Sequence, residues 1–251
     1  LPYGVIGLSL LTAILPRMSR AAADGDIPGV VADLSRGSRY SAILLMPVAV
    51  VLTVAGQAIG IALFAFGASG TAEASRLGVA LAVSAFGLLP YALTMLQLRV
   101  FYAMADARTP TLIMLAMTAL KVPLLLACPV VLAPADVVLG LTFVNALSFV
   151  AGAVIGQAWL HARLGPVRTA EVLVTIARTL AAAVPAIGAA VAVQSLIGLD
   201  GVAQAWVNLV LSTLVVGVVM VGALLVLRTP ELSGAGLRSL RTRFTHRRPP
   251  E

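Results

Sequence analysis

Lys121 is the only lysine in the chain, and it lies inside an apolar run from Thr111 to Leu126. An ammonium near the middle of a bilayer costs about 2.5–3.5 kcal/mol on insertion scales, so it needs a partner, a wet cavity or a task. Two roles are open to it. It is either a structural donor to neighbouring helices, or a fixed cation lining a polar cavity, where it offsets substrate charge or replaces a coupling ion. Its helix starts near Thr109–Pro110, proline being suited to a first turn. That start sets Lys121 about 16–18 Å deep, beyond comfortable snorkelling. Pro123 frees the Ala119 carbonyl from its helical bond and makes it a local acceptor. In the next apolar run Thr142, Asn145 and Ser148 share one helix face. Such a polar stripe either glues helices together or faces Lys121 across a cavity.

Bond-making chemistry has no comparable candidates. The acidic residues all fall at or beyond the ends of the apolar runs, and no Ser/His/Asp set or glycine-rich phosphate loop is present. An intramembrane hydrolase needs such groups buried together. Cys128 is the single cysteine, and His161 and His246 are the only histidines, which offers neither a disulfide framework nor a metal or haem spacing. The expectation is a protein that is not an enzyme and carries no cofactor and no metal.

The elements that hold these residues are membrane spans. Hydrophobic residues make up 60% of the chain and charged ones 11%, against about 25% charged in soluble domains. Seven apolar segments can be drawn, at about 1–16 (cut short), 41–64, 77–104, 110–132, 138–161, 171–197 and 206–227, each near the length that crosses a hydrocarbon core about 30 Å thick. The expected fold is therefore all-α, a polytopic helix bundle with short Gly/Pro/Asp/Ser turns at 67–70, 133–136 and 198–201. Threading the spans puts every arginine outside them except Arg76, together with Arg99 near the end of 77–104, on one face, so that face is cytoplasmic and the C-terminus lies inside. Arg178, on the same face as Glu171, is explained by snorkelling. The positive balance is thus topological, with attraction to anionic lipid second, and it is not a nucleic-acid footprint. Residues 28–39 read either as a short interfacial helix or as a plain loop, and 77–104 as one long helix of about 40 Å. Pro47, Pro90, Pro123 and Pro185 interrupt four helices, which suits a protein that rocks between states. Leu1 stands already inside an apolar run without a charged n-region, which reads as a fragment of a longer chain rather than a signal peptide.

Two stretches carry a family resemblance: LPYGVIGLSLLTAILPRMSRAAADGD at the start, and LRVFYAMADARTPTLI between two spans. They resemble the MurJ/MviN family of lipid II flippases, within the multidrug/oligosaccharidyl-lipid/polysaccharide exporter superfamily. The resemblance implies a fourteen-span protein of which this chain is the part from about the eighth span onward. Residues 1–161 would belong to the C-terminal transport lobe, 162–228 to the final helix pair, and 229–251 to a basic tail. It implies transport of lipid II from the inner to the outer leaflet of the bacterial inner membrane by alternating access, with a missing N-terminal lobe as partner. The family's cavity is cationic, and its best-known essential arginines lie upstream of Leu1. The final pair, 171–197 and 206–227, would form the groove for the polyprenyl tail. Arg17 and Arg20 would anchor topology or draw the anionic headgroup toward the cavity mouth. Asp106 and Arg108 would fix the turn or gate the cytoplasmic side. Some relatives hold sodium between the helices matching 110–128 and 138–161. Neither run has an acid here, so the expectation is that the Lys121 ammonium, near Asn145 or Thr142, stands in for that cation.

Other readings remain beside this one. Another superfamily member would export polysaccharide-lipids or drugs. A non-transporting scaffold would recruit a cytoplasmic partner or further domain through 233–251, although neither Lys121 nor the kinked helices serve a scaffold.

Overall fold

The structure, a computed structural model, describes residues 2–65, 70–199, 201–227 and 229. Among these residues the chain is helical throughout, with no strand: α1 (Pro2–Ala23), α2 (Ile27–Val54), α3 (Gly56–Phe64), α4 (Thr71–Ala85), α5 (Leu88–Ala103), α6 (Arg108–Val131), α7 (Val137–Leu164), α8 (Thr169–Ile197) and α9 (Val202–Val226). The last four match the four C-terminal apolar runs closely. Apart from Gly70 and Thr229, the turn drawn at 67–70 and the basic tail at 229–251 lie outside the described residues.

Residues 28–39 are helical, as one of the two readings had it, but they form no separate short helix. They are the opening turns of α2, and the cause is local. Gly25 turns the chain at φ +70, Asp26 Oδ1 accepts the Gly29 N–H at 2.9 Å, and Pro28 sits in the first turn, where its missing N–H costs nothing. Val30, Val31 and Leu34 then bury against Met18 of α1 and Phe101 of α5. One consequence corrects the reading of the acids: Asp33 lies within a long helix, not beyond a span end.

Two runs that read as continuous are broken. The run 41–64 divides at Ala55, and Gln194 of α8 donates to the Val54 carbonyl at 2.9 Å, supplying a donor where the helix ladder stops. The run 77–104 is no straight 40 Å rod; α4 and α5 meet at 45° across Phe86–Gly87. Gly87 permits the bend to seat on α7, since a Cβ there would come within 3.0 Å of the Ala146 backbone.

The bundle is built around α2, which packs on α1, α5, α8, α4 and α9. Its most apolar stretch is 44% buried, against 17–22% in α6, α7, α8 and α9. Those peripheral helices show Leu126, Val130, Val184, Leu196 and Val218 outward, too much apolar surface for water and the right surface for lipid. Between α8 and α9 the seam is filled by Ala182, Ala186 and Ala190 against Val216 and Met220, small residues letting the backbones approach. Among the described residues, five helices are long and apolar enough to cross a membrane, and the bent α4–α5 pair makes a sixth; α1, of 22 residues, precedes them.

Candidate functional site

Lys121 projects from α6 toward α7, where its Nζ donates to Asn145 Oδ1 at 2.6 Å. Of the polar stripe on α7 only Asn145 crosses to the neighbour. The Thr142 hydroxyl donates to the Leu139 carbonyl at 2.8 Å, and that of Ser148 to the Asn145 carbonyl at 2.7 Å. Lys121 is half-buried, with exposed Leu120 and Val122 on either side. It lies outside the walls of the two cavities that follow.

The first cavity, of about 950 Å³, sits in the α1–α2 hairpin and is walled by Arg17, Arg20 and Arg36 together with Asp24, Asp26 and Asp33. The structure thus brings the two expected arginines, Arg17 and Arg20, to one cavity mouth and adds Arg36, spaced for it by the helical reading of 28–39. The Arg20 Nε donates to the Pro16 carbonyl at 3.1 Å. Arg17 and Arg36 both reach Asp33 Oδ1 at 3.2 Å. This wall is charge-balanced rather than purely cationic. Asp33 is the residue that sequence reasoning missed, and its spacing of three from Arg36 was the available signal.

The second cavity, of about 550 Å³, opens between α5, α7 and α8 and is lined mostly by apolar side chains such as Leu93, Val154 and Ile176. The side of α8 that faces a cavity is therefore the one toward α5 and α7, while α9 fills the other. One end is polar. Gln97 Nε2 donates to Gln157 Oε1 at 3.0 Å, Gln157 Nε2 to Thr169 Oγ1 at 2.7 Å, and Thr169 Oγ1 to the Val167 carbonyl at 3.0 Å. Glu171 meets Arg39 of α2 at 3.6 Å and Arg168 at 3.8 Å, tying the start of α8 to the centre of the bundle.

Asp106 organises the α5–α6 turn. Its Oδ1 accepts the backbone N–H groups of Arg108 and Thr109 at 3.0 and 3.1 Å, and its Oδ2 accepts the Thr109 hydroxyl at 2.7 Å. Arg163, at the end of α7, pairs with Oδ2. The Thr109 hydroxyl and then its backbone N–H hold the Asp106 carboxyl below the usual carboxylate range; burial opposes them less strongly than either, and the Arg108 N–H and the Arg163 guanidinium add smaller lowering effects. Arg108 contributes its backbone here, and the guanidinium comes from a residue 57 positions away. Among the described residues, no group of three or more His, Cys, Asp or Glu is placed to hold a metal ion.

Comparison with known proteins adds an independent line. A family model described as lipid II flippase MurJ matches residues 1–216. A probable lipid II flippase MurJ of Rhizobium meliloti (strain 1021) is 30% identical over 110 residues, 44% of this chain and 21% of that protein. Among solved structures, a lipid II flippase MurJ in an inward closed conformation is similar at TM-score 0.64 and 16% identity, over 91% of this chain and 45% of that one. The chain spans less than half the length of either relative, and the structural likeness is one of fold.

Proposed function

The chain belongs to the lipid II flippase MurJ family, and from that membership we propose that it forms the greater part of the C-terminal lobe of a flippase for lipid-linked peptidoglycan precursor. On this reading residues 1–161 are part of the C-terminal transport lobe, 162–228 form the last helix pair, and 229–251 a basic tail. The C-terminus faces the cytoplasm of a bacterial cell, and an N-terminal lobe supplies the other wall of the central cavity. The observation that supports it most directly is the cavity of about 950 Å³ in the α1–α2 hairpin, where Arg17, Arg20 and Arg36 converge at one end of a membrane-spanning bundle. Guanidinium forks suit the oxygens of a diphosphate. With apolar spans beside it, such a mouth is fitted to take a headgroup from one leaflet while the lipid tail stays among α8 and its neighbours.

Lys121 has a place in the same scheme. An ammonium fixed by Asn145 between α6 and α7 supplies a permanent positive charge where a relative would need a bound cation, so the protein cycles without sodium. Depletion of the full-length protein tests the main reading. Lipid II is expected to accumulate on the inner leaflet, and an unchanged distribution between leaflets overturns it.

A further inference from the structure

Arg17 of α1 and Arg36 of α2 each direct one guanidinium nitrogen at the same atom, Asp33 Oδ1, both at 3.2 Å. Strong charge-assisted contacts run at about 2.7–2.9 Å, and arginine pairs are frequently bidentate. These two are long, single-pronged and share an acceptor, so most of the donors on each fork are not spent on Asp33. The arginine side chains are 47% exposed and that of Asp33 only 10%. The carboxylate therefore stands at the back of the cavity, with the two cations in front of it. A buried carboxylate is retained in such a position only while cations and donors compensate it.

A phosphate group presents several oxygens to the same two forks and can engage each of them bidentately. Resting on the flippase reading above, we propose that Asp33 is a resident counter-anion. Its carboxylate holds, between Arg17 and Arg36, the place that a phosphate or diphosphate group takes on entering the cavity, and it recaptures the arginines when that group leaves. Asp33 is a positioning residue, acting through the two arginines. A site that must first give up an internal anion binds more weakly by the fraction of time that anion occupies it, and a transporter gains from weak binding because its cargo has to leave. The same logic accounts for the balance of the wall. Arginines alone would trap a polyanion, whereas arginines that can return to a carboxylate release it.

The test uses the full-length protein, titrated with inorganic pyrophosphate in detergent and with a polyprenyl diphosphate in lipid nanodiscs. Asp33→Asn, and the smaller neutral replacement Asp33→Ser, are expected to bind about tenfold more tightly than wild type, roughly 1.4 kcal/mol, and to flip lipid II more slowly. Asp33→Glu is expected to return affinity to near the wild-type value, and Arg17→Gln to weaken it. General damage to the fold does not tighten binding, so the sign of the change separates the proposed role from a structural one. Tightening toward both probes marks a site for the phosphate group itself. Tightening toward the lipid probe alone marks a site for the lipid headgroup, and either result supports the proposal. Neutral variants that bind both probes no more tightly than wild type, in a protein that flips lipid II normally, overturn the counter-anion alone. Tighter binding by the neutral variants, where the wild-type protein itself does not flip lipid II, overturns the flippase reading and leaves the counter-anion standing.

Discussion

The Lys121 ammonium and the Asn145 amide oxygen are 2.6 Å apart and join α6 to α7. Because α6 packs mainly on α7 and has only slight contact with α5, this one polar bond secures a helix whose remaining surface is largely exposed. Side-chain hydrogen bonds between membrane helices average about 0.6 kcal/mol and reach about 1.7 kcal/mol. In a double-mutant cycle of Lys121→Met and Asn145→Leu, a coupling in the upper part of that range is expected, since the donor is charged. Asn145→Leu alone is expected to cost more than Lys121→Met, because it strands an ammonium among Leu120, Val122 and lipid. Unfolding of the full-length protein in detergent measures all the terms, and zero coupling would show the bond to be energetically idle.

The proposal that this ammonium replaces a coupling ion has a separate consequence. Lipid II transport by the wild type is expected to proceed at nearly the same rate in sodium-free and sodium-containing medium. In Lys121→Ala the fixed charge is gone, and transport is expected to fall at least about tenfold, a loss of roughly 1.4 kcal/mol of transition-state stabilisation. Strong sodium stimulation of the wild type would remove the idea, and a Lys121→Ala protein that flips normally would reduce Lys121 to scaffold.

At the α5–α6 turn the direction of a titration can be worked out. Asp106 has its carboxyl pKa lowered in the folded state by the Thr109 hydroxyl, the Thr109 and Arg108 N–H groups and Arg163. A group whose folded pKa is depressed stabilises the fold above its unfolded pKa, about 3.9 for Asp, and loses that contribution as pH falls through the lower folded value. The turn is therefore expected to be insensitive to pH from neutrality down to about 4 and to loosen below it. Amide exchange at Thr109, corrected for its intrinsic pH dependence, should rise in that acid window in the wild type. Asp106→Asn should exchange fast at neutral pH and show no further acid step, whereas an unchanged wild-type profile through the window would argue against the cap.

Much of this fold was legible because apolar runs and their terminators are local. The helices α6 to α9 follow from run length, from Pro110 at the start of α6, and from the glycines at 165 and 198, whose φ values of +77 and +74 end α7 and α8. The breaks at Ala55 and at Phe86–Gly87 were not legible. They depend on what packs against them, Gln194 from α8 in one case and Ala146 from α7 in the other. The site divides in the same way. Lys121 and Asn145 announced themselves as polar groups in apolar runs. Arg17 and Arg20 were visible only as charges near a span end. Asp33 was hidden, because its burial is created by α1 folding back over α2, a contact between segments that composition cannot register. Arg163 as the partner of Asp106 was hidden for the same reason.

The α3–α4 contact offers a steric prediction with an internal control. A Cβ on Gly60 would lie 2.2 Å from the Ala74 carbonyl oxygen and 2.7 Å from the Gly78 nitrogen. Both are backbone atoms, so no side-chain rotation relieves the clash and the two helices have to separate. Overpacking of this kind costs about 1–3 kcal/mol, and Gly60→Ala is expected to lower stability by that amount. Gly217, in the middle of α9, has open space around the same hypothetical atom. There the substitution only improves helix propensity, by at most about 1 kcal/mol, so Gly217→Ala is expected to be neutral or slightly stabilising. Thermal unfolding of the two variants beside wild type in one detergent decides the matter. Equal midpoints for all three would mean that α3 and α4 do not meet through their glycines. In that case the broken helix at Ala55 would lose the packing that directs α3 away from the line of α2.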